Sequence, residues 1–285
     1  MDIELKILKT GYCIQLEKIS IKEGRFKTIK FPAMVVLIKH PKQGYILFDT
    51  GYSHHFFKET KKFPYSIYKK ITPVYLEESE TVVSQLKKLN LSAKDIQYII
   101  LSHFHSDHIS GCKDFPNAKF ICSKVGYESI QNKKGISALK EGFIPNLLPM
   151  DFSDRIIFFE ERQITKFPII ETPFDHVIDL FGDKRIYAVL LSGHTKGHYG
   201  IFLKSNNQYY FFIGDACWSS KTFEEYLLPH FIANFIMKDK KSYMENVKKL
   251  YTLHKAHPHI HIIPSHCLYT VEEAIKNVSL EGKSD

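Results

Sequence analysis

Residues 101–111 read LSHFHSDHISG, which places three histidines and an aspartate within six residues. The run IQYIIL (96–101) that leads into them is short and apolar and predicts a buried strand. Because side chains alternate along an extended chain, His103 and His105 should lie on the same side and bind one cation. Asp107 and His108 continue around the turn toward a possible second cation. Imidazole and carboxylate together suit Zn, Fe or Mn, so the stretch predicts a metal centre rather than an ordinary polar loop.

Two cations need more ligands than this stretch provides, and three later segments have the matching context. In LLSGHTKGH, FFIGDAC and IIPSHC, an apolar strand pattern ends in a small residue, which is followed by His194, Asp215 and His266 respectively. Ligands at the ends of different strands can converge on one edge of a sheet, where a rigid scaffold holds them. The three residues are therefore candidate ligands.

Strand and helix patterns alternate irregularly along the whole chain. AMVVLIKHPKQGYILFDTG (33–51) predicts a hairpin turning at PKQG (41–44), and ETVVSQLKKLNL (80–91) has a helical stripe of apolar residues. QYYFFIGDACW (208–218) begins as an aromatic strand, and SYMENVKKLYTLHKAH (242–257) is helical in pattern. This mixture lacks regular βαβα order, and it predicts helices layered over mixed sheets. No internal repeat or linker divides the sequence.

Composition restricts the compartment and the partners. The 285 residues are 44% hydrophobic and 25% charged, and a chain of this length needs no metal merely to fold. The five cysteines are scattered without a Cys-x-x-Cys pair, which favours a reducing compartment. We find neither a signal-peptide pattern nor an apolar run near the ~18 residues of a membrane span, so we expect a cytoplasmic protein without a membrane partner. The net charge of +8 is dispersed over many short lysine groups, which makes nucleic acid an unlikely partner.

The ordered set of motifs resembles the metallo-β-lactamase superfamily, and most of all its N-acyl homoserine lactonase branch. The matching motifs are ILFDTG (46–51), His103-x-His105-x-Asp107-His108, Gly193-His194, Gly214-Asp215 and Ser265-His266. The resemblance implies an α+β fold, a four-layer αβ/βα sandwich with the metal site at the edge between two sheets. It also implies one domain over residues 1–285, in which excursions at about 52–76 and 219–240 could line the substrate pocket.

The same resemblance implies a role for each site residue. One metal would be held by His103, His105 and His194, and the second by Asp107, His108 and His266, with Asp215 bridging both. The two divalent cations are expected to be Zn, while Fe and Mn are also compatible. Asp49 would orient a ligand histidine, a role compatible with its simpler reading as a turn aspartate. His198, in the second Gly-His pair, would support the site.

Hydrolysis is the reaction that such a centre predicts. A metal-bridging hydroxide would open a small lactone or ester, in the first place an acylated homoserine lactone, while Asp107 passes a proton to the leaving group. A phosphodiesterase or nuclease and a glyoxalase II-like thioesterase of the same superfamily remain alternatives. A sensor with a decayed site is disfavoured because all seven metal positions are intact. The expected partner is a small-molecule substrate, and the oligomeric state is left open.

The sequence departs from the lactonase pattern at two positions. These lactonases tend to place a tyrosine three residues after the bridging aspartate, where its hydroxyl contacts the lactone. Here that position is Trp218, whose indole N–H can donate a hydrogen bond but cannot accept one or act as an acid. We expect Trp218 to contact the substrate. Position 106, often bulky and apolar in these lactonases, is Ser106.

Overall fold

The hairpin predicted from residues 33–51 forms the centre of the first of two sheets. In this computed structural model, which describes residues 2–235 and 237–281, its strands pair antiparallel with His40 opposite Gly44. Gly44 has φ +73°, a left-handed conformation that favours glycine at the turn.

The first sheet has seven strands in the order β4-β1-β2-β3-β5-β6-β7. Strands β3, β5, β6 and β7 run parallel, so their carboxyl ends lie at one edge of the sheet. The seven strands are β1 (Glu4–Leu16), β2 (Thr28–His40), β3 (Gly44–Phe48), β4 (Val74–Tyr75), β5 (Ile96–Ile100), β6 (Lys119–Cys122) and β7 (Ile156–Phe158).

The second sheet has six strands in the order β13-β12-β11-β10-β9-β8. All neighbours are antiparallel except β12 and β13, which run parallel and deliver their carboxyl ends together. The six strands are β8 (Gln163–Lys166), β9 (His176–Asp179), β10 (Ile186–Leu190), β11 (Tyr199–Ser205), β12 (Gln208–Gly214) and β13 (Ile260–Pro264).

Helices cover both sheets. The α-helices are α1 (Glu17–Ser20), α2 (His54–Glu59), α3 (Ser66–Ile71), α4 (Val82–Lys88), α5 (Ser106–Ile109), α6 (Lys124–Ile130), α7 (Gly135–Leu139), α8 (Lys221–Glu224), α9 (Lys240–Ala256) and α10 (Leu268–Glu281). Short 3₁₀ helices lie at Glu78–Glu80, Ala93–Asp95, Cys112–Asp114, Pro145–Leu147, Phe152–Arg155, Phe159–Glu161 and Phe231–Phe235. None of the described helices is both long and apolar enough to cross a bilayer.

The alternation of side chains along the strands produces three apolar layers. On β2, Val35 and Leu37 pack against the helices outside the first sheet, whereas Val36 and Ile38 pack between the two sheets. A third cluster joins the outer face of the second sheet to α8 and α9, where it includes Leu253. The order is therefore helices, sheet, sheet, helices, and the predicted four-layer αβ/βα sandwich is confirmed.

The two excursions pack on the same outer core. Tyr52 and Phe56 from residues 52–76, and Ala233 and Met237 from the second excursion, belong to one buried cluster. The predicted second excursion, 219–240, includes residue 236, which lies outside the described residues. The first excursion contains α2, which begins after Ser53, whose side chain accepts a hydrogen bond from the backbone N–H of His55.

Candidate metal centre

The histidine-rich stretch occupies the loop after β5 and the short helix α5. His103 and His105 lie on the loop, and Asp107 and His108 lie in the first turns of the helix. All four side chains are buried at the edge of the sandwich. The helix turns the chain through the site, so the two pairs of ligands face different positions, as the sequence predicted.

The second half of the chain brings its three candidates to the same place. His194 lies in the loop between β10 and β11, Asp215 directly follows β12, and His266 follows β13. The ligand atoms form two buried groups, within each of which all atoms lie within 4.8 Å of one another. The first group is His103, His105, His194 and Asp215, and the second is Asp107, His108 and His266.

Asp215 connects the two groups through both of its oxygens. Its Oδ1 lies 3.2 Å from Nε2 of His108. Its Oδ2 lies 3.1 Å from Nε2 of His266 and 3.4 Å from Nε2 of His194. One carboxylate therefore contacts histidines of both groups, which is the arrangement that a bridging ligand requires.

The spacing and the unpaired atoms both fit divalent cations. Ligands about 2.1 Å from a tetrahedral Zn²⁺ lie about 3.4 Å from one another. His105 Nδ1 and His194 Nε2 are 2.9 Å apart, and His266 Nε2 lies 3.2 Å from Asp107 Oδ2. Nε2 of His103 and of His108 is buried without a hydrogen-bond partner among the described residues. Such buried polar atoms need an explanation, and a cation in each group supplies it.

Asp49 contacts one candidate ligand directly and a second through Ser102. Its Oδ2 lies 2.7 Å from Nδ1 of His108 and accepts a hydrogen bond from the Ser102 hydroxyl at 2.8 Å. The same hydroxyl oxygen is 3.0 Å from Nδ1 of His103. These contacts are satisfied when both histidines carry their proton on Nδ1, which leaves both Nε2 atoms free to bind metal. Ser102 was not identified from the sequence, although its position directly before His103 is a usable signal.

Backbone contacts fix two further members of the centre. Nδ1 of His266 lies 2.7 Å from the carbonyl oxygen of Pro32 on β2, so its Nε2 faces the metal groups. Nε2 of His198 accepts a hydrogen bond from the backbone N–H of Asp215 at 3.0 Å. His198 thus contacts the backbone of Asp215, and its supporting role stays a prediction.

The three histidines of the first group are uncharged at neutral pH, because the pKa of each is lowered. Burial, reinforced by the neighbouring imidazoles, holds the pKa of His103 and of His194 well below the ordinary value. Burial also lowers the pKa of His105 to about 4. Neutral imidazole is the form that coordinates a metal, so these three side chains need lose no proton to bind one at neutral pH.

In the second group, the carboxylates raise the pKa of the histidines instead of leaving it lowered by burial. Burial alone would lower the pKa of His108, but the Asp49, Asp107 and Asp215 carboxylates outweigh it and raise that pKa well above the ordinary value. The pKa of His266 is raised in the same way, against burial, by Asp215 and Asp107. The carboxylates thus attract positive charge, which protons supply in the absence of a cation and which a divalent cation would supply in their place.

Trp218 contacts the bridging residue. Its indole N–H donates to Oδ2 of Asp215 at 3.0 Å, and its ring packs edge-on against His194 with centroids 5.5 Å apart. The side chain is only 8% exposed. Contact of Trp218 with the substrate stays a prediction, since the one N–H donor of the indole already has a partner.

Ser106 donates two hydrogen bonds to the loop that contains Gly142. Its backbone N–H and its hydroxyl both donate to the carbonyl oxygen of Gly142, at 3.0 and 2.9 Å. Gly142 packs against the imidazole of His105 so closely that an added Cβ would lie 2.6 Å from Cδ2. The contacts of Ser106 therefore hold the segment around residue 142 against the imidazole of His105, a candidate metal ligand.

Gly193 is expected to tolerate no side chain. Its φ is +139°, and a Cβ at this position would lie 2.4 Å from the backbone nitrogen of Tyr243. Gly193→Ala should therefore lower the free energy of unfolding by about 3 kcal/mol and displace the adjacent ligand His194. Gly135→Ala is the matched control, because Gly135 also has positive φ (+54°) but has nothing within 4 Å of the added Cβ. Urea unfolding of both variants measures the difference, and equal losses would contradict the close approach.

Comparison with known proteins identifies both sequence relatives and fold neighbours. The family model described as the metallo-beta-lactamase superfamily matches residues 29–256. The N-acyl homoserine lactonase AttM of Azorhizobium caulinodans is 26% identical over 257 residues, covering 88% of this chain and 89% of the relative. AttM of Agrobacterium fabrum is 25% identical over 261 residues, covering 90% of each chain.

Solved structures share the fold at lower identity. An N-acyl homoserine lactone hydrolase, crystallised with the product N-hexanoyl-L-homoserine at its catalytic metal centre, superposes with a TM-score of 0.72. That match has 18% sequence identity and covers 96% of this chain and 97% of the other. At this identity, the likeness concerns the fold alone.

Proposed function

The chain belongs to the metallo-β-lactamase superfamily, and we propose that it opens the ring of acylated homoserine lactones with two bound divalent cations. The prediction of a lactonase-like, metal-dependent hydrolase is confirmed at the level of the family and its named relatives. One observation carries the finer proposal: seven buried side chains from both halves of the chain form two ligand groups joined by Asp215. Zinc is the metal we propose, since five imidazoles and two carboxylates suit it.

The cations supply the electrophilic part of the chemistry. When bound, they would lower the pKa of a shared water to about 7 and polarise the carbonyl oxygen of the ester. The protein fixes the ligands for that purpose through Asp49, Ser102 and the carbonyl of Pro32. These groups are already in place in the folded chain, so little reorganisation is required when substrate binds.

Asp107 is the group we propose to move the proton. Its Oδ2 faces Nε2 of His266 at 3.2 Å and Nε2 of His108 at 3.7 Å, which makes Oδ2 the ligand atom. Oδ1 then remains available to hold the proton taken from the attacking water. Delivery of that proton to the ring oxygen accompanies cleavage of the C–O bond of the lactone and forms the hydroxyl, while the oxygen and second proton of the water form a carboxylic acid, which ionises to the carboxylate by releasing its proton to solvent.

The excursions supply the apolar surroundings of the proposed pocket. Tyr52 and Phe56 from the first excursion belong to the same buried cluster as Ala233 and Met237 from the second, and Trp218 lies in that cluster too. Burial, followed by the nearby Asp107 carboxylate, raises the pKa of Tyr68, so its hydroxyl stays protonated near the site. This combination of apolar walls and a few polar groups is typical of small-molecule sites. We propose that the whole chain forms one catalytic domain with these excursions over the centre.

Turnover by zinc-reconstituted protein tests the proposal. We expect acyl-homoserine lactones to be opened in preference to a thioester and a phosphodiester, and a chelator to abolish the activity. Circular dichroism should change little on chelation, because the three apolar layers do not depend on the metal. Cleavage of the phosphodiester alone, with an affinity that falls steeply with salt, would contradict lactone as substrate and favour the nuclease alternative.

Trp218→Tyr should raise the lactonase activity. The phenol hydroxyl adds a group that can donate to the lactone, whereas indole offers a single N–H that Asp215 already occupies. We expect kcat/KM for N-hexanoyl homoserine lactone to increase about tenfold, the value of one good hydrogen bond to a developing charge. Trp218→Phe is the control, because it removes the N–H without adding a hydroxyl. Equal rates in the two variants would count against the proposed position of the substrate.

A further inference from the structure

A small cavity adjoins the metal centre on the side of His105. Its volume is about 190 Å³, and His105 and Thr195, the neighbour of His194, form part of its wall. Phe104 and Ile130 supply apolar parts of the wall. Sites for whole small molecules measure about 300–1,000 Å³, so this cavity, called here the His105 cavity, accommodates one end of a ligand.

The charged side chains around the His105 cavity are mostly cationic. Lys133, Lys196 and Lys238 line it together with one carboxylate, Glu141. Lys238 Nζ lies 2.8 Å from Glu141 Oε2, and Lys133 Nζ lies 3.8 Å from Oε1. Lys196 forms no ion pair with any residue in the described ranges, and it is exposed. Three ammonium groups against one carboxylate leave the wall with an excess of positive charge.

The backbone of Lys238 is hydrogen-bonded to the segment that carries His194. The N–H of Lys238 donates to the carbonyl oxygens of Gly193 at 3.0 Å and of His194 at 3.3 Å. Its ammonium also donates to the carbonyl of Lys140, which limits its freedom. A ligand that spans the centre and the cavity therefore meets fixed positive charge at its far end.

We propose that the His105 cavity binds a carboxylate at the end of the substrate's acyl chain, so that the preferred substrates are lactones or esters with a terminal negative charge. The inference rests on the proposed function, because it concerns the same centre. One carboxylate matches the one ammonium of the wall that has no ion-pair partner among the described residues, that of Lys196, because Lys133 and Lys238 both face Glu141. The hydroxyl oxygen of Thr195 is buried without a partner among the described residues, and it offers a further donor.

Two lactones of equal chain length test the inference on the zinc-loaded protein. N-adipoyl homoserine lactone ends in a carboxylate, whereas N-hexanoyl homoserine lactone ends in a methyl group. We expect KM for the adipoyl lactone to be about tenfold lower at low ionic strength, with similar kcat for both. The preference should shrink in 1 M NaCl, where the screening length falls to about 3 Å.

Lys196→Gln should reduce the preference for the adipoyl lactone by at least threefold, because it removes the ammonium without an ion-pair partner. Lys87→Gln is the matched control: it removes the same charge from an exposed position on α4 and should leave the ratio of KM values unchanged. Equal KM for the two lactones, or a preference that survives Lys196→Gln, would overturn the inference while leaving the lactonase proposal intact.

A binding measurement distinguishes failure of the inference about the His105 cavity from failure of the lactonase proposal. The ring-opened products, N-adipoyl and N-hexanoyl homoserine, are titrated calorimetrically into the zinc-loaded protein and its Lys196→Gln variant. If neither lactone is turned over, the lactonase proposal fails; tighter, Lys196-dependent binding of the adipoyl product would still support the cavity. Equal binding of the two products would reject it.

Discussion

Asp215→Ala should reduce kcat/KM for the lactone about 10³-fold and lower the metal content from two ions per chain to one or none. The carboxylate of Asp215 contacts histidines of both ligand groups, with Oδ1 at 3.2 Å from Nε2 of His108 and Oδ2 at 3.4 Å from Nε2 of His194. Its loss removes a negative charge from between the two ligand groups, and it leaves His108 and His266 with fewer carboxylates to balance their positive charge. Metal analysis of the purified variant and steady-state kinetics measure the two effects.

Asp179→Ala is the matched control for the loss of a buried aspartate. Asp179 ends β9 and accepts hydrogen bonds from the backbone N–H groups of Gly182 and Lys184, away from the metal groups. Its replacement should lower stability but keep the metal content. Two metal ions per chain with full activity in the Asp215 variant would show that the ligand assignment is wrong.

Asp49→Asn should weaken metal binding about 10- to 100-fold, the usual effect of losing a partner behind a ligand histidine. The amide keeps the shape of the side chain but cannot hold the protons of His108 Nδ1 and the Ser102 hydroxyl with two negatively charged oxygens. Asparagine also tolerates the left-handed backbone of Asp49, whose φ is +60°. Competition with a chromophoric chelator measures the metal affinity directly.

Asp49→Ala separates the two roles that the sequence left compatible. If Asp49 served only the turn, asparagine would be neutral, and alanine alone would cost stability through its positive φ. If Asp49 orients the ligands, both variants should bind metal weakly, and alanine should be the less stable of the two. An Asp49→Asn protein with unchanged metal affinity would contradict the orienting role.

The positions of the candidate ligands could be predicted because each follows a segment whose sequence has a clear strand pattern. His103 comes after IQYIIL, and Asp215 ends an aromatic strand, so local pattern places both at strand ends, and the resemblance supplies the pairing. The hairpin at β2–β3 and the long helix α9 were also predicted, within the usual uncertainty of their ends. These features depend on periodicity, which one sequence is enough to show.

Features formed by distant segments were not predicted. Lys133 and Lys238 are more than 100 residues apart, and only the folded chain brings them to one carboxylate. The hydrogen bond from Trp218 to Asp215 was missed because residue type alone does not reveal what a donor contacts. The short helices of the first excursion were missed as well, since six residues are too few to display a helical period.

The proposed ligands are divided between the two sheets, so a bound cation would link the two halves of the chain. His103, His105 and His108 come from the first half, and His194, Asp215 and His266 come from the second. Neither half alone can hold a cation with its full ligand set, so metal binds only the docked sandwich and stabilises it by mass action. The metal-free chain should keep its fold, but the two sheets should separate faster on unfolding than they do in the metal-loaded protein.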